Sequence, residues 1–114
     1  MIDFACKKFD INEVIRCGLG LSKTEFNILK VFMSKKTDIS TSDISSSLKL
    51  DMSTAQRAVK KLHSLGILQR SQINLSPGGY AYTYRMKSRN DVKTRVLELI
   101  NNWNKKVESE IDKW

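Results

Sequence analysis

The pattern of apolar residues changes its period at Gly66, and this change restricts the chain to a small set of folds. Before Gly66, apolar residues recur at steps of three and four, as on one face of an α-helix. After it, "ILQRSQI" and "YAYTYRM" alternate apolar and polar residues, as β-strands do. The segment "NLSPGG" between them has the proline and glycines of a tight turn. The sequence therefore predicts a mostly α fold with a small β-hairpin, of the α+β class.

Two helices are predicted in the first third of the chain. An amphipathic helix over about residues 10–17 ends at the "GLG" of residues 18–20. Ser22 and Glu25 then form an S-x-x-E capping box, the signature of a helix start, and predict a helix over about 23–35. Four residues continue its apolar face: Phe26, Leu29, Phe32 and Met33.

Two further helices follow each other closely. Thr41 is predicted as the N-cap of a short helix over about 42–48. Asp51 caps a second helix, which ends near Leu65 because a glycine follows. The connection is three or four residues long, and the second helix is the longer and the more basic. This is a helix-turn-helix pattern.

The chain after residue 90 predicts one long helix, from Asp91 to about Lys113. Its apolar residues fall on one stripe, namely Val92, Val96, Leu99, Trp103, Val107, Ile111 and Trp114. At 1.5 Å per residue the helix is roughly 35 Å long, more than so small a domain covers, and an exposed apolar strip marks an interaction surface. We expect a homodimer through this stripe, aided by residues of the opening segment, namely Phe4, Phe9, Ile11 and Val14.

Positive charge is concentrated in the middle of the chain. The net charge is +8, and residues 40–90 hold eight Lys and Arg against two Asp, whereas residues 91–114 balance to zero. Such a surface indicates a polyanionic partner, without choosing among DNA, RNA and a membrane surface. The sequence has no run of about 18 apolar residues, the length that would be needed to span a membrane. The N-terminus lacks the apolar core of a secretory signal, so a cytoplasmic location is expected.

The second helix of the helix-turn-helix has two chemically different faces. Its inward residues are Ala55, Val59, Leu62 and Leu65, and its outward residues are Met52, Ser53, Gln56, Arg57, Lys60 and Lys61. Ser53 and Gln56 suit base edges, and an arginine such as Arg57 can bind guanine with two hydrogen bonds. Lys60 and Lys61 suit phosphates. The alternative is that this face is merely solvated. The helix-turn-helix pattern, the positive charge of residues 40–90 and the predicted hairpin together favour contact with double-stranded DNA.

The complete set of predicted DNA contacts includes the first helix and the hairpin: Thr41, Ser42, Met52, Ser53, Thr54, Gln56, Arg57, Lys60, Lys61, Arg70 and Arg85. The turn at residues 74–79 has no Arg or Lys, which leaves open whether the hairpin reads sequence. Tyr80, Tyr82 and Tyr84 share one strand face. They could form a stacking platform for single-stranded nucleic acid, but packing of the hairpin against the core is the favoured interpretation.

The sequence offers no grouping typical of an enzyme. No Ser/His/Asp or Cys/His set, paired-acid site or phosphate-cradling glycine loop is present, so no catalytic residue is predicted. Cys6, Cys17 and the single histidine, His63, cannot form a zinc site, and neither a metal nor a cofactor is expected. We expect both cysteines to be reduced and buried or half-buried; a redox switch is the alternative. No small-molecule effector can be identified.

Three stretches together resemble a known family. "LGLSKTEFNILKVF", "TSDISSSLKLDMSTAQRAVKKLHSLGIL" and "GGYAYTYR" are similar to the small archaeal winged helix-turn-helix transcriptional regulators of the MarR/TrmB type. The resemblance implies a dimeric DNA-binding protein, with a recognition helix near 52–65 in the major groove and a wing near 67–86 on flanking DNA. Residues 1–114 would be a single domain, with a DNA-binding core at 10–90 and a dimerisation helix at 91–114. A protein-binding winged helix and an RNA-binding one are the alternatives.

Overall fold

The computed structural model describes residues 2–75 and 78–114. Its helices are α1 (Ile11–Leu19), α2 (Lys23–Ser34), α3 (Thr41–Leu48), α4 (Met52–Ser64) and α5 (Arg89–Asp112). Its strands are β1 (Ile2–Phe4), β2 (Lys7–Phe9), β3 (Ile39–Ser40), β4 (Leu68–Asn74) and β5 (Tyr80–Met86). Within these two ranges, every helix is too short or too polar to cross a membrane.

The start of α2 has the predicted capping box. The Ser22 hydroxyl accepts a hydrogen bond from the Glu25 N–H at 3.1 Å, and the Glu25 carboxylate accepts one from the Ser22 N–H at 2.8 Å. Leu21 and Phe26 on either side of the box are both buried, as in a hydrophobic staple. These contacts fix where α2 begins, and the predicted helix is confirmed.

Several predicted details of the helices need correction. Ser40, not Thr41, is the N-cap of α3, because its hydroxyl accepts the Asp43 N–H at 3.1 Å. Asp51 does precede α4, but its side chain makes no capping hydrogen bond. Met33 is 48% exposed, whereas Ile28 is fully buried. Ile28 lies one turn before Phe32 and shares its face, while Met33 is rotated one position toward solvent.

The sheet joins the predicted hairpin to a short third strand. β4 and β5 pair antiparallel from Leu68 opposite Met86 to Asn74 opposite Tyr80. β3 adds to the other edge of β5, with Ile39 opposite Tyr84, so the strand order is β3-β5-β4. The hairpin of β4 and β5 is called the wing below. The predicted turn at 74–79 lies in part outside the described residues, which omit 76 and 77.

The core lies between α2, α3, α4 and one face of the sheet. Its largest fully buried side chains include Ile28, Phe32, Ile44, Leu62 and Ile67. α5 packs outside this core through the half-buried Val92, Val96 and Leu99, and none of its residues is fully buried. The order of elements and this packing are those of a winged helix-turn-helix followed by a peripheral helix, as predicted.

The N-terminal segment forms a hairpin that the sequence pattern did not predict. β1 and β2 pair antiparallel, with Ile2 opposite Phe9. Ala5 in the turn has φ +46°, where glycine or asparagine is usual. The absence of such a turn residue is why the hairpin was missed. Cys6 in this turn and Cys17 in α1 are both exposed free thiols, so the expectation of buried or half-buried cysteines was wrong.

Candidate nucleic-acid interface

Packing of α4 determines which of its residues face outward. Its buried residues are Ala55, Ala58, Val59 and Leu62. The opposite side exposes residues at helical spacings of three and four, namely Ser53, Gln56, Arg57 and Lys60. Together they form one exposed stripe, called the α4 face below, with two hydrogen-bonding groups and two cations. Met52, 44% exposed, lies at the N-terminal end of the helix, and Thr54 is half-buried beside it.

The connection between α3 and α4 is held in a defined conformation. Lys49 has a left-handed backbone, φ +54° and ψ +48°, and its N–H donates to the Ser45 carbonyl. The Ser45 hydroxyl donates to the Leu50 carbonyl at 2.6 Å. Two of the predicted contacts lie at the other end of α3, where Thr41 is half-buried and Ser42 is exposed. Lys49 is exposed in the turn, and no local sequence pattern distinguishes it from the other lysines.

The Lys61 ammonium, predicted to contact a phosphate, has two partners within the chain. Its ammonium donates to the Gly20 carbonyl at 2.7 Å and to the Glu25 carboxylate at 2.9 Å. Burial opposes ionisation of Glu25, yet the Ser22 N–H and the Lys61 ammonium together hold the pKa of this carboxyl below its ordinary value. Lys61 thus joins α4 to the start of α2, and it lies beside the α4 face rather than on it.

The wing contributes one cation on the core-facing side of the sheet. The Arg70 guanidinium lies 4.2 Å from the centre of the Tyr82 ring, a cation–π contact that orients it. Tyr80 and Tyr82 meet edge to face at 5.4 Å. Tyr84 is buried and contacts the half-buried His63 at 6.1 Å between ring centres. Exposure therefore decreases along the strand from Tyr80 to Tyr84. At Tyr84 the structure agrees with the interpretation that the hairpin packs against the core.

Arg85 does not lie beside Arg70. In the register of the wing Arg85 is opposite Gln69, whereas the next residues, Arg70 and Tyr84, form the neighbouring pair. Because successive side chains of a strand point to opposite faces, Arg85 faces away from that side of the sheet. Its Nε lies 3.7 Å from the Asp38 carboxylate. The sequence grouped Arg85 with Arg70 among the predicted DNA contacts; in the structure the two side chains lie on opposite faces of the sheet.

The predicted dimer stripe divides into two parts. Its first part, Val92, Val96 and Leu99, is half-buried against the chain's own core. Its second part lies in residues 101–114, called the α5 tail below. There Trp103, Ile111 and Trp114 are 63%, 57% and 102% exposed, and Val107 is half-buried. In the opening segment, Phe4 and Ile11 are exposed and Phe9 and Val14 are half-buried. Within residues 2–75 and 78–114, no three His, Cys, Asp or Glu residues approach closely enough to hold a metal.

A helix-turn-helix, a following two-stranded wing and a basic outward face on the second helix define a winged helix-turn-helix protein. The sequence from residue 10 to 107 matches the family model described as the DnaD N-terminal domain. The chain belongs to that family.

Solved structures support the same fold. A possible transcriptional regulator from Methanosarcina mazei Go1 is 45% identical with a TM-score of 0.88, over 100% of this chain and 96% of the other. A MarR protein from Peptoclostridium difficile is 25% identical with a TM-score of 0.54, over 91% and 65% of the two chains. A point mutant of S. aureus MepR bound to an oligodeoxyribonucleotide is 8% identical with a TM-score of 0.56, over 91% and 73%. The predicted resemblance to winged-helix regulators is confirmed.

Proposed function

We propose that the protein is a sequence-specific regulator of transcription that binds double-stranded DNA as a homodimer. The observation that supports this most directly is the α4 face, where Ser53, Gln56, Arg57 and Lys60 lie in one exposed stripe on a helix whose other side is buried. The wing and the turn before α4 place two more cations, Arg70 and Lys49, on neighbouring elements.

In this proposal the α4 face enters the major groove. Arg57 binds a guanine edge, Ser53 and Gln56 bind neighbouring bases, and Lys60 binds a phosphate. Met52, Thr54, Thr41 and Ser42 lie around the rim of this contact. Lys61 and Arg85 are left out of the base-reading and phosphate-binding set. Lys61 is hydrogen-bonded to Glu25, and Arg85 lies on the face of the sheet opposite to Arg70. Similarity to the MepR mutant, whose structure contains an oligodeoxyribonucleotide, supports DNA as the ligand of the fold.

A homodimer accounts for the remaining exposed apolar surface. The described residues from 10 to 90 form the DNA-binding core, and α5 provides the dimerisation helix. A two-fold dimer presents two α4 faces and doubles the number of phosphate contacts. We assign no enzymatic role to the chain.

Salt dependence of duplex binding tests this function. A fluorescent duplex of random sequence is titrated between about 50 and 200 mM salt and compared with single-stranded DNA and with a structured RNA of equal length. We expect the duplex to bind best, and its affinity to fall steeply with salt because bound phosphates release counterions. A variant with Arg57→Ala and Lys60→Ala should bind this duplex more weakly, whereas a variant with Lys23→Ala and Lys30→Ala, an exposed pair on α2, should bind it as the unaltered chain does.

The competing outcomes are distinct. Preference for the RNA would indicate an RNA-binding winged helix. Absence of duplex binding at the lowest salt, with the protein folded, would contradict the proposal and favour a winged helix that binds another protein.

A further inference from the structure

The outer part of the wing presents an exposed surface that is separate from the α4 face and the α5 tail. In the register of the hairpin, Gln72 lies opposite Tyr82, and Asn74 lies opposite Tyr80. Directly opposed residues of an antiparallel pair share one face, and so do alternate residues of one strand. One face of the wing therefore holds five side chains, called the outer wing face below: Arg70, Gln72, Asn74, Tyr80 and Tyr82.

Packing against the core explains only the inner end of the row of tyrosines. Tyr84 is buried and contacts His63 in the last turn of α4. Tyr80 lies four residues before Tyr84 on β5, which places it about 13 Å further out along the strand. There Tyr80 is 58% exposed. Burial in the core therefore does not determine why a tyrosine stands at position 80.

The aromatic and cationic groups of the outer wing face contact one another. The Arg70 guanidinium lies 4.2 Å from the centre of the Tyr82 ring, and Tyr80 meets the same ring edge to face at 5.4 Å. Among the residues that the structure describes, no ion pair includes Arg70, so its charge can attract an anion. A single edge-to-face neighbour leaves at least one face of the Tyr80 ring open.

This set of groups is suited to unpaired nucleobases. The flat face of a base stacks on aromatic rings or guanidinium planes, its edge forms hydrogen bonds, and the adjoining phosphate attracts a cation. The outer wing face has two rings at alternate positions of one strand, two exposed amides and one exposed arginine. The sequences of β4 and β5 contain no Asp or Glu that would repel a phosphate.

A fully paired duplex does not offer the groups that this surface complements. In a paired duplex the faces of the bases are covered by their neighbours, and only the base edges are accessible in the grooves. The narrow minor groove attracts Arg, Lys or His, and residues 74–79 contain none of these. A base that has left the stack is therefore the better match.

We propose that the outer wing face is a binding site for unpaired bases, so that the protein binds best where a duplex adjoins unpaired DNA. An unpaired base stacks on Tyr80, the amides of Gln72 and Asn74 bind its edge, and Arg70 binds the adjoining phosphate. The inference rests on the DNA binding proposed above and adds a second class of contact to it. Unpaired DNA and RNA offer the same ring faces, and the α4 face, which binds a DNA duplex, selects DNA.

Substitutions of Tyr80 test this proposal. Two fluorescent DNA duplexes of equal length are compared: one is fully paired, and in the other a segment beside the paired centre consists of opposed thymines. Tyr80→Leu removes the aromatic ring but keeps an apolar side chain, whereas Tyr80→Phe keeps the ring. Ile73→Ala is the control, because Ile73 is 45% exposed and lies opposite Ala81 on the other face of the wing. Circular dichroism checks the fold of each variant.

The ratio of the two dissociation constants is the expected readout. The unaltered chain should bind the duplex with opposed thymines about fivefold or more tightly than the fully paired duplex, because each stacked base strengthens binding. In Tyr80→Leu the two duplexes should bind within about twofold of each other, since the stacking ring is gone. Tyr80→Phe and Ile73→Ala should keep the preference of the unaltered chain.

Crosslinking locates the contact independently of affinity. 5-Iodouracil replaces the unpaired thymines, and irradiation joins it to an aromatic side chain that is stacked on it. Peptide mass spectrometry then identifies the joined residue. We expect the crosslink at Tyr80 in the unaltered chain and in Ile73→Ala.

Three results would overturn the inference. The first is equal affinity of the unaltered chain for the two duplexes, which would leave the outer wing face to a protein partner. The second is a preference that persists in Tyr80→Leu, which would assign it to the greater flexibility of unpaired DNA. The third is crosslinking at other residues with none at Tyr80.

Failure of the proposed function has a different signature, namely loss of binding to both duplexes. A single strand of thymines then replaces the duplexes in the titration. Binding of this strand that Tyr80→Leu weakens and Ile73→Ala does not would support the site on the outer wing face. Equal binding by the two variants would contradict it.

Discussion

The Nε–H of Arg95 on α5 donates a hydrogen bond to the carbonyl of Leu65 at the end of α4, at 2.6 Å. Gly66 next to Leu65 has φ +82°, and a Cβ there would lie 3.6 Å from the Arg95 side chain. A cation from the proposed dimerisation helix therefore stabilises the last turn of the proposed recognition helix, where the helix dipole favours positive charge. Through this contact α5 is joined to the C-terminal end of α4.

Removal of this donor should destabilise the protein. Arg95→Met keeps much of the aliphatic length but leaves the Leu65 carbonyl without its charged partner. A hydrogen bond to a charged group contributes about 1.5–3 kcal/mol, and we expect a loss at the lower end because Arg95 is partly exposed. Urea unfolding measures it. Glu98→Gln is the control, because it removes only the exposed Arg95–Glu98 ion pair, and its effect should stay below about 1 kcal/mol. Equal effects of the two substitutions would contradict the assigned role of the Leu65 contact.

Stability should depend on pH through the Glu25–Lys61 contact. The pKa of Glu25 is lowered in the folded protein from an ordinary value of 4.5. The stabilisation is therefore fully present above 4.5 and is lost as pH falls through the lower native pKa. Urea unfolding from about pH 6 to about pH 3 measures this loss. Glu25→Gln can keep the backbone cap without the charge, so the stability of this variant should fall less over this pH range than that of the unaltered chain. Identical pH profiles of the two proteins would rule out a contribution of the Glu25 charge.

Two substitutions on the α4 face should affect DNA binding in different ways. Arg57→Ala should cost about 1–3 kcal/mol on a specific site and relax the base preference there. Lys60→Ala should weaken binding to all duplexes similarly and lower the salt slope by about one. Titrations on a selected site and on a random duplex, at several salt concentrations, separate the two effects. If both variants bind every duplex as the unaltered chain does, the α4 face does not contact DNA.

The exposed thiols should not control DNA binding. Cys6 lies in the turn of the N-terminal hairpin and Cys17 on α1, both outside the α4 face and the wing. We expect Cys6→Ser and Cys17→Ser to leave duplex affinity unchanged under reducing and oxidising conditions. Affinity measured before and after peroxide treatment checks this. A peroxide response that needs both thiols would show a redox switch.

Local signals in the sequence were sufficient for most of the fold. The capping box at Ser22 and Glu25 and the change of period at Gly66 depend on neighbouring residues alone, and both correspond to elements of the structure. The α4 face followed from helical spacing in the same way. Partners distant in the chain were not predictable, because no local pattern indicates that Lys61 meets Glu25 or that Arg85 meets Asp38. These pairings depend on how the helices and the sheet pack together.

The symmetry of the bound DNA tests the central claim most directly. The intact chain is used to select duplexes from a random pool, and the enriched site is then compared with one of its halves in a binding titration. A two-fold dimer that reads DNA with its α4 faces predicts an inverted repeat, with half-sites centred roughly 34 Å, or one duplex turn, apart, and much weaker binding to a single half. Enrichment of an asymmetric site, or of no sequence, would contradict the account.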